Sequence, residues 1–285
     1  MQLRQSERRQ AKIKIALQAP SGAGKTYSAL LLAYGLINDW NKIAIIDTEN
    51  GSADLYAHLG EYQVLSIKPP YSPERYIQAI ELCEKAKVEC IIIDSISHGW
   101  DFLLDYHASL TGNSFTNWAK ITPRQKRMID KILQTGIHVI ATMRTKQDYV
   151  LNQKDGKYLP EKVGLKAIQR DGVDYEFTTV FDIDINHFAK VSKDRTGMFN
   201  DQPEFIITPE TGNQILKWCN SGVNIQDIKA KIKASKTLEE LVAIYKEYPT
   251  WYNQLEKEYS LKKQMIQVNQ NIKSSKTIQN GTTHN

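Results

Sequence analysis

The sequence predicts an α/β fold: a mostly parallel, doubly wound sheet within residues 1–221, a small helical module over 222–267 and a disordered tail over 268–285. Three observations carry this. Short β-branched runs recur along the first two thirds of the chain, helix-length patterns separate them, and the texture changes after Gly222. Buried parallel strands read as short continuous apolar runs, and strands alternating with helices imply right-handed βαβ crossovers.

The runs are Ile13–Leu17, Lys42–Ile46, Cys90–Ile93 and His138–Ala141, each followed by a polar or glycine-containing turn. Between them, Lys25–Asn38 and Pro73–Lys87 have helix length, the second with Tyr76, Ile77, Ile80 and Leu82. Thr122–Thr135 follows, with Met128, Ile129, Ile132 and Leu133 on its apolar face. Pro123 suits its first position, where a missing N–H costs nothing. Phe177–Ile185 and Phe188–Val191 have no helix between them and suggest antiparallel additions at one end of the sheet. In the module, Ile225, Ile228 and Ile232 repeat at helical spacing. Thr237 and Glu240 make a capping-box pattern, and Pro249 breaks the chain before a stretch through Trp251, Leu255 and Tyr259. From Val268 onward Asn, Gln, Ser, Thr and Lys dominate, too few apolar groups to offset the entropy of ordering.

Composition excludes several classes. Of 285 residues, 41% are hydrophobic and 24% charged, enough to bury a core, so collagen-like and fully disordered chains are out. No apolar run approaches the ~20 residues that span a bilayer, and residues 1–10 lack the apolar core of a signal peptide. Cytoplasmic residence, with no membrane partner, is the expectation. Cys83, Cys90 and Cys219 show no CxxC spacing, which argues against a zinc site or a disulfide framework. A net charge of +5 permits a nucleic-acid partner and equally fits a solvated basic surface.

Residues 19–26, Ala-Pro-Ser-Gly-Ala-Gly-Lys-Thr, match the phosphate-binding loop except that Ala19 stands where glycine is usual. A strand precedes them and a helix follows. Pro20, Ser21, Gly22, Ala23, Gly24, Lys25, Thr26 and Tyr27 are therefore the expected nucleotide-binding residues. The glycines let backbone wrap phosphate at a helix N-terminus, Lys25 neutralises the β- and γ-phosphates of ATP, and Thr26 places a hydroxyl on Mg²⁺. Asp94, ending the run Cys90-Ile-Ile-Ile-Asp94, brings a carboxylate to the sheet edge where ligands sit and is the second Mg²⁺ ligand expected. Asp47-Thr-Glu49 brings two more acids to a strand end, with Glu49 as the base that polarises the attacking water. The bland alternative is Asp47 as a helix cap with Glu49 merely exposed. Thr142, at the tip of the fourth run, is a candidate γ-phosphate sensor.

The segment Asp47–Gly60 resembles that of RecA-type ATPases in which a strand ends Asp-x-Glu, and Asp94-Ser95 resembles their Walker B ending. The stretch from about residue 12 to 200 resembles the phage-encoded RecA-core ATPases associated with single-strand annealing and recombination. Trp118, Ile121–Pro123, His138–Lys146, Gln169–Phe177 and Ser192–Gly197 are further matching pieces. Lys193-Asp-Arg195 resembles the Lys-x-Arg finger that a neighbouring subunit inserts against γ-phosphate; without that resemblance it reads as a basic turn.

The resemblance implies ATP hydrolysis at a subunit interface and action on single-stranded DNA. It also implies partnership with phage or host recombination or single-strand-binding proteins. From Arg144 to Arg170, seven cations (Arg144, Lys146, Lys154, Lys157, Lys162, Lys166, Arg170) face three acids (Asp148, Asp155, Glu161), with Tyr149 and Tyr158 interleaved. Basic loops with aromatics suit single strands. The loop His98–Lys120, with Trp100, Phe102, Tyr106, Phe115 and Trp118, is the other candidate surface. A GTPase is disfavoured, because Asn152-Gln-Lys-Asp155 is not the guanine-reading Asn-Lys-x-Asp. The rival reading is a nucleotide-gated regulatory or DNA-binding module with little turnover.

Overall fold

A computed structural model describes residues 10–154 and 157–280; of the side chains of 147–164 and 270–280 nothing is said. The chain divides into two compact units, 12–219 and 220–285 with 1–11.

The larger unit is a mostly parallel mixed sheet with helices on both faces. The strands are β1 (Lys14–Ala19), β2 (Ile43–Asp47), β3 (Gln63–Ser66), β4 (Cys90–Asp94), β5 (His138–Lys154), β6 (Lys157–Ala167), β7 (Thr179–Ile183) and β8 (Ala189–Asp194). They run in the order β3-β2-β4-β5-β1-β7-β8, with β6 paired to β5. Strands β1, β2 and β4 are buried at every position, as continuous apolar runs demand when helices cover both faces. One core layer joins Ile15, Leu17, Ile45, Ile92 and Ile140 to Leu30 and Leu36 of α1 (Lys25–Ile37). The other joins Ala16, Ile46, Ile91 and Ile93 to α2 (Pro73–Lys85) and to Met128 and Ile132.

Several expectations need correction. β7 runs parallel to β1, so β8 alone extends that end antiparallel. The helix expected at Thr122 is α4 (Ser114–Gln134), begun by Asn113, whose Oδ1 accepts from Phe115 N at 2.8 Å; Pro123 lies inside it. And β5 does not stop at Ala141 but runs on into a hairpin with β6. Ahead of α4 lies α3 (Ser97–Ser109), so the stretch 98–120, expected as a loop, is mostly helix, its aromatics other than Phe115 spaced to pack on α3 and α4.

Helix α5 (Pro209–Asn220) crosses α1 so closely that a Cβ on Gly35 would stand 1.9 Å from the Pro209 carbonyl. That approach pins the start of α5 against the last turns of α1.

The smaller unit contains α6 (Ile225–Ala234), α7 (Leu238–Glu247) and α8 (Tyr252–Asn280) around Ile228, Leu241, Trp251 and Leu255. Thr237 Oγ1 accepts from Glu240 N at 3.2 Å, while the Glu240 carboxylate reaches back to Lys236 N at 2.6 Å. The backbone beyond Val268, expected without regular structure, continues as α8 to Asn280; residues 281–285 lie outside the described residues. No helix among the described residues is long and apolar enough to cross a membrane.

Candidate nucleotide site

At the edge where the parallel strands end, a cleft of about 670 Å³ opens beside the loop between β1 and α1. Gly22 and Gly24 both adopt φ +84°, the left-handed backbone that leaves successive N–H groups pointing at one centre. Gly24 has a second reason to lack a side chain. His187, in the turn between β7 and β8, donates from Nδ1 to the Ala23 carbonyl at 3.1 Å and leaves a Cβ at 24 only 3.1 Å from that ring. Lys25 Nζ donates to the carbonyls of Ala19 (3.2 Å) and Pro20 (2.9 Å), which hold the ammonium across the neck of the loop. Burial lowers its pKa, against the opposing charges of Asp94 and Glu49.

Asp94 ends β4 with its carboxylate between two hydroxyls. Thr26 Oγ1 donates to Oδ2 and Thr142 Oγ1 to Oδ1, each at 2.5 Å. Burial raises its pKa and the two hydroxyls oppose the rise. Carboxylate and hydroxyl oxygens are the donors that Mg²⁺ takes when phosphates and water complete its shell. No cluster of three metal-ligating side chains exists among the described residues, so a metal here depends on the phosphates it accompanies. Thr142 is fully buried and meets Asp94 rather than the cleft, so its reach is to the carboxylate, not to phosphate.

Glu49 lies just past the end of β2. Asp47 shapes this turn, accepting from Glu49 N at 2.6 Å and Ala53 N at 3.3 Å, which is the capping role the sequence left open. Glu49 is not simply exposed. Arg144 grips it with two hydrogen bonds, the Nε–Oε1 bond at 2.8 Å, and His98 Nε2 lies 3.9 Å away. Burial would raise the Glu49 pKa, but the hydrogen bonds and charge of Arg144 outweigh it and the net shift is downward. His98 is itself set by Thr48 Oγ1 at 2.8 Å and by the stacked ring of Tyr71.

Apolar and aromatic side chains also line the cleft. Tyr27 and Tyr56 stand 5.6 Å apart between ring centroids, and Leu31, Ile206 and Ile207 belong to the same lining. The cleft thus combines charged groups suited to phosphates with apolar and aromatic ones suited to a base.

Residues 11–211, more than two thirds of the chain, match the AAA domain family. The chain belongs to that family. No curated protein matches it significantly. An AAA domain is a P-loop nucleotide-binding domain of the ATPase type, which is what the loop, Asp94 and the cleft together are shaped for.

This AAA domain brings Lys25, Thr26, Tyr27, Glu49 and Asp94 to one cleft. It does not bring Lys193 and Arg195 there. Both donate to the Tyr175 carbonyl, and Arg195 N bonds Thr178 O next to the start of β1 and β7, the opposite edge of the sheet. Four site residues escaped the sequence reading: Arg144, counted only as a loop cation, His98, His187 and Tyr56. Arg144 carried a signal, since it stands two residues past a strand-tip threonine; His187 carried none. Of the basic loop, the side chains of Lys154, Lys157, Lys162, Tyr149 and Tyr158, the acids Asp148 and Glu161, and residue Asp155 lie outside the described residues.

Proposed function

We propose that this AAA domain is a RecA-like ATPase that hydrolyses ATP between subunits and acts on single-stranded DNA in phage recombination or annealing. The observation that carries the catalytic half is the junction of loop and strand: Thr26 bonded to Asp94 beside Lys25, with Glu49 in the same cleft. On this reading Lys25 neutralises the β- and γ-phosphates, and Thr26 with Asp94 holds the metal, through water at Asp94. Glu49 orients the attacking water. Mg²⁺, when bound, supplies charge neutralisation on the phosphates. Tyr27 and Tyr56 take the base.

The interface half rests on Lys193 and Arg195 standing at the opposite edge of the sheet, where they serve a neighbour's phosphates better than their own. The DNA half is supported by a groove of about 1010 Å³ at the base of the hairpin. There Trp100, Trp118 and the 86% exposed Phe115 meet Lys146 and Arg170. Trp100 is buried and Trp118 half-buried, so it is the exposed Phe115 beside these cations that offers stacking together with phosphate neutralisation.

The clamp of Arg144 on Glu49 favours a second reading, a nucleotide-gated module that turns over little until a partner acts. ATPase rate with and without single-stranded DNA separates the two. An ATPase acting on DNA speeds up on adding it, and its DNA binding weakens with salt at a log–log slope of about −0.7 per phosphate. Arg195→Ala should lose turnover yet bind ATP, and mixing it with Glu49→Gln should restore some rate. A DNA-independent rate with no rescue on mixing would leave the gated module standing.

A further inference from the structure

Resting on the reading of the cleft as a triphosphate site, we propose that Arg144 is a catalytic residue. Its guanidinium leaves Glu49 for the terminal phosphate, and by leaving frees Glu49 to orient water. The register puts it within reach. β5 lies between β4 and β1, with Thr142 opposite Leu17 and Arg144 opposite Ala19, the first residue of the phosphate loop. Ile140 packs in the core layer beneath α1, and strand alternation carries Thr142 and Arg144 to that same face. From there the side chain now crosses β4 to reach Glu49 on the β2 side.

The backbone of Arg144 is fixed on both sides. Its N–H donates to Ser97 Oγ at 2.9 Å, and its carbonyl accepts from Ile168 N at 2.7 Å. Only the side chain has freedom, and at 39% exposure it is not locked in by packing.

Charge supplies the reason to move. Among the described residues lining the cleft, Lys25 and Arg144 are the only lysine and arginine, and Asp94 and Glu49 the only acids. The four balance. A triphosphate with one divalent metal adds net negative charge, and Lys25 already spans the neck of the loop. Arg144 is the cation left to recruit. Its planar fork fits phosphate oxygens as it fits a carboxylate, so the exchange is like for like. A diphosphate, lacking the terminal group, gives it nothing to exchange for.

Calorimetry of the full chain with Mg²⁺ tests this, using ADP and the β,γ-imido analogue of ATP. The parent should prefer the analogue. Arg144→Ala should reduce that preference about ten- to hundredfold, the size of a lost charge-assisted pair, while its ADP affinity stays close to parental. Glu49→Ala removes the rival partner and should tighten the analogue several-fold relative to ADP. An Arg144→Ala protein that keeps the parental preference overturns this inference alone. If that variant does not fold, an unchanged ratio in Glu49→Ala overturns it instead. A parent that binds neither nucleotide overturns the reading of the cleft and this inference with it.

Discussion

Asp94 at the end of β4 and Glu49 just past the end of β2 stand on neighbouring strands, yet opposite forces hold them. Asp94 is buried between two neutral hydroxyls, and burial pushes its pKa up. Glu49 is only half-buried and faces a guanidinium, and its pKa is pushed down. A carboxylate held by hydroxyls, with Lys25 acting on it only through its field, has oxygens that can still take a cation. A carboxylate in a two-bond ion pair has its oxygens engaged already. On the function proposed above, the first is the group that holds the metal and the second the one that orients water once its partner moves.

That difference breaks most completely at the phosphate end. Lys25→Ala and Asp94→Ala should each abolish Mg–ATP binding or turnover. Asp94→Ala also strands the buried Thr142 hydroxyl without its acceptor, at about 1–3 kcal/mol of stability, while the Thr26 hydroxyl stays open to the cleft. Calorimetry with ATP and a thermal melt read the two effects separately. Folded variants that bind and hydrolyse normally would remove the phosphate-loop reading.

Glu49→Gln keeps the shape and loses the charge. ATP should still bind, while hydrolysis falls by roughly 10²–10⁴, the loss typical of a general base. A parental rate would make Glu49 structural.

Acidity sharpens the contrast further. The folded-state pKa of Glu49 lies below its ordinary value, so the pair with Arg144 contributes stability above the unfolded pKa. That stability is lost as pH falls through the folded pKa, and the acid limb of the kcat/KM profile, which reports the free enzyme where Arg144 still holds Glu49, should lie equally low. In Arg144→Ala burial acts unopposed by the guanidinium, so that limb should move up in pH. A kcat/KM profile normalised to each protein's maximum checks it, and an unmoved limb would mean another group titrates there.

How much of this was legible in the sequence follows from what each signal depends on. The phosphate loop and Asp94 are local: strand, glycines, Lys25 and Thr26 are contiguous, and Cys90–Ile93 announce a buried strand. The grip on Glu49 is not local, because Arg144 lies 95 residues away and meets it only once β5 inserts between β1 and β4. His187 reaches Ala23 across 164 residues through a turn of no special pattern. Pro123 misled because the cap that starts α4 is Asn113, ten residues earlier, and a long helix with other strong contacts tolerates one missing donor.

Thr142 gives the smallest expected effect and the finest test. Its hydroxyl donates to Asp94 Oδ1, while Thr26 serves Oδ2, so one threonine touches both acid and cleft and the other touches the acid alone. Thr142→Val keeps the shape and removes one donor from a buried carboxylate, at about 1.5–3 kcal/mol for a hydrogen bond to a charged group. Asp94 then holds its charge less readily, and the variant should need several-fold more Mg²⁺ for half-maximal turnover. Its ADP binding without metal should be unchanged, because Thr142 does not line the cleft. Thr26→Val removes a donor and a metal oxygen together and should fall much further. Equal losses in the two variants would put Thr142 on the phosphates after all.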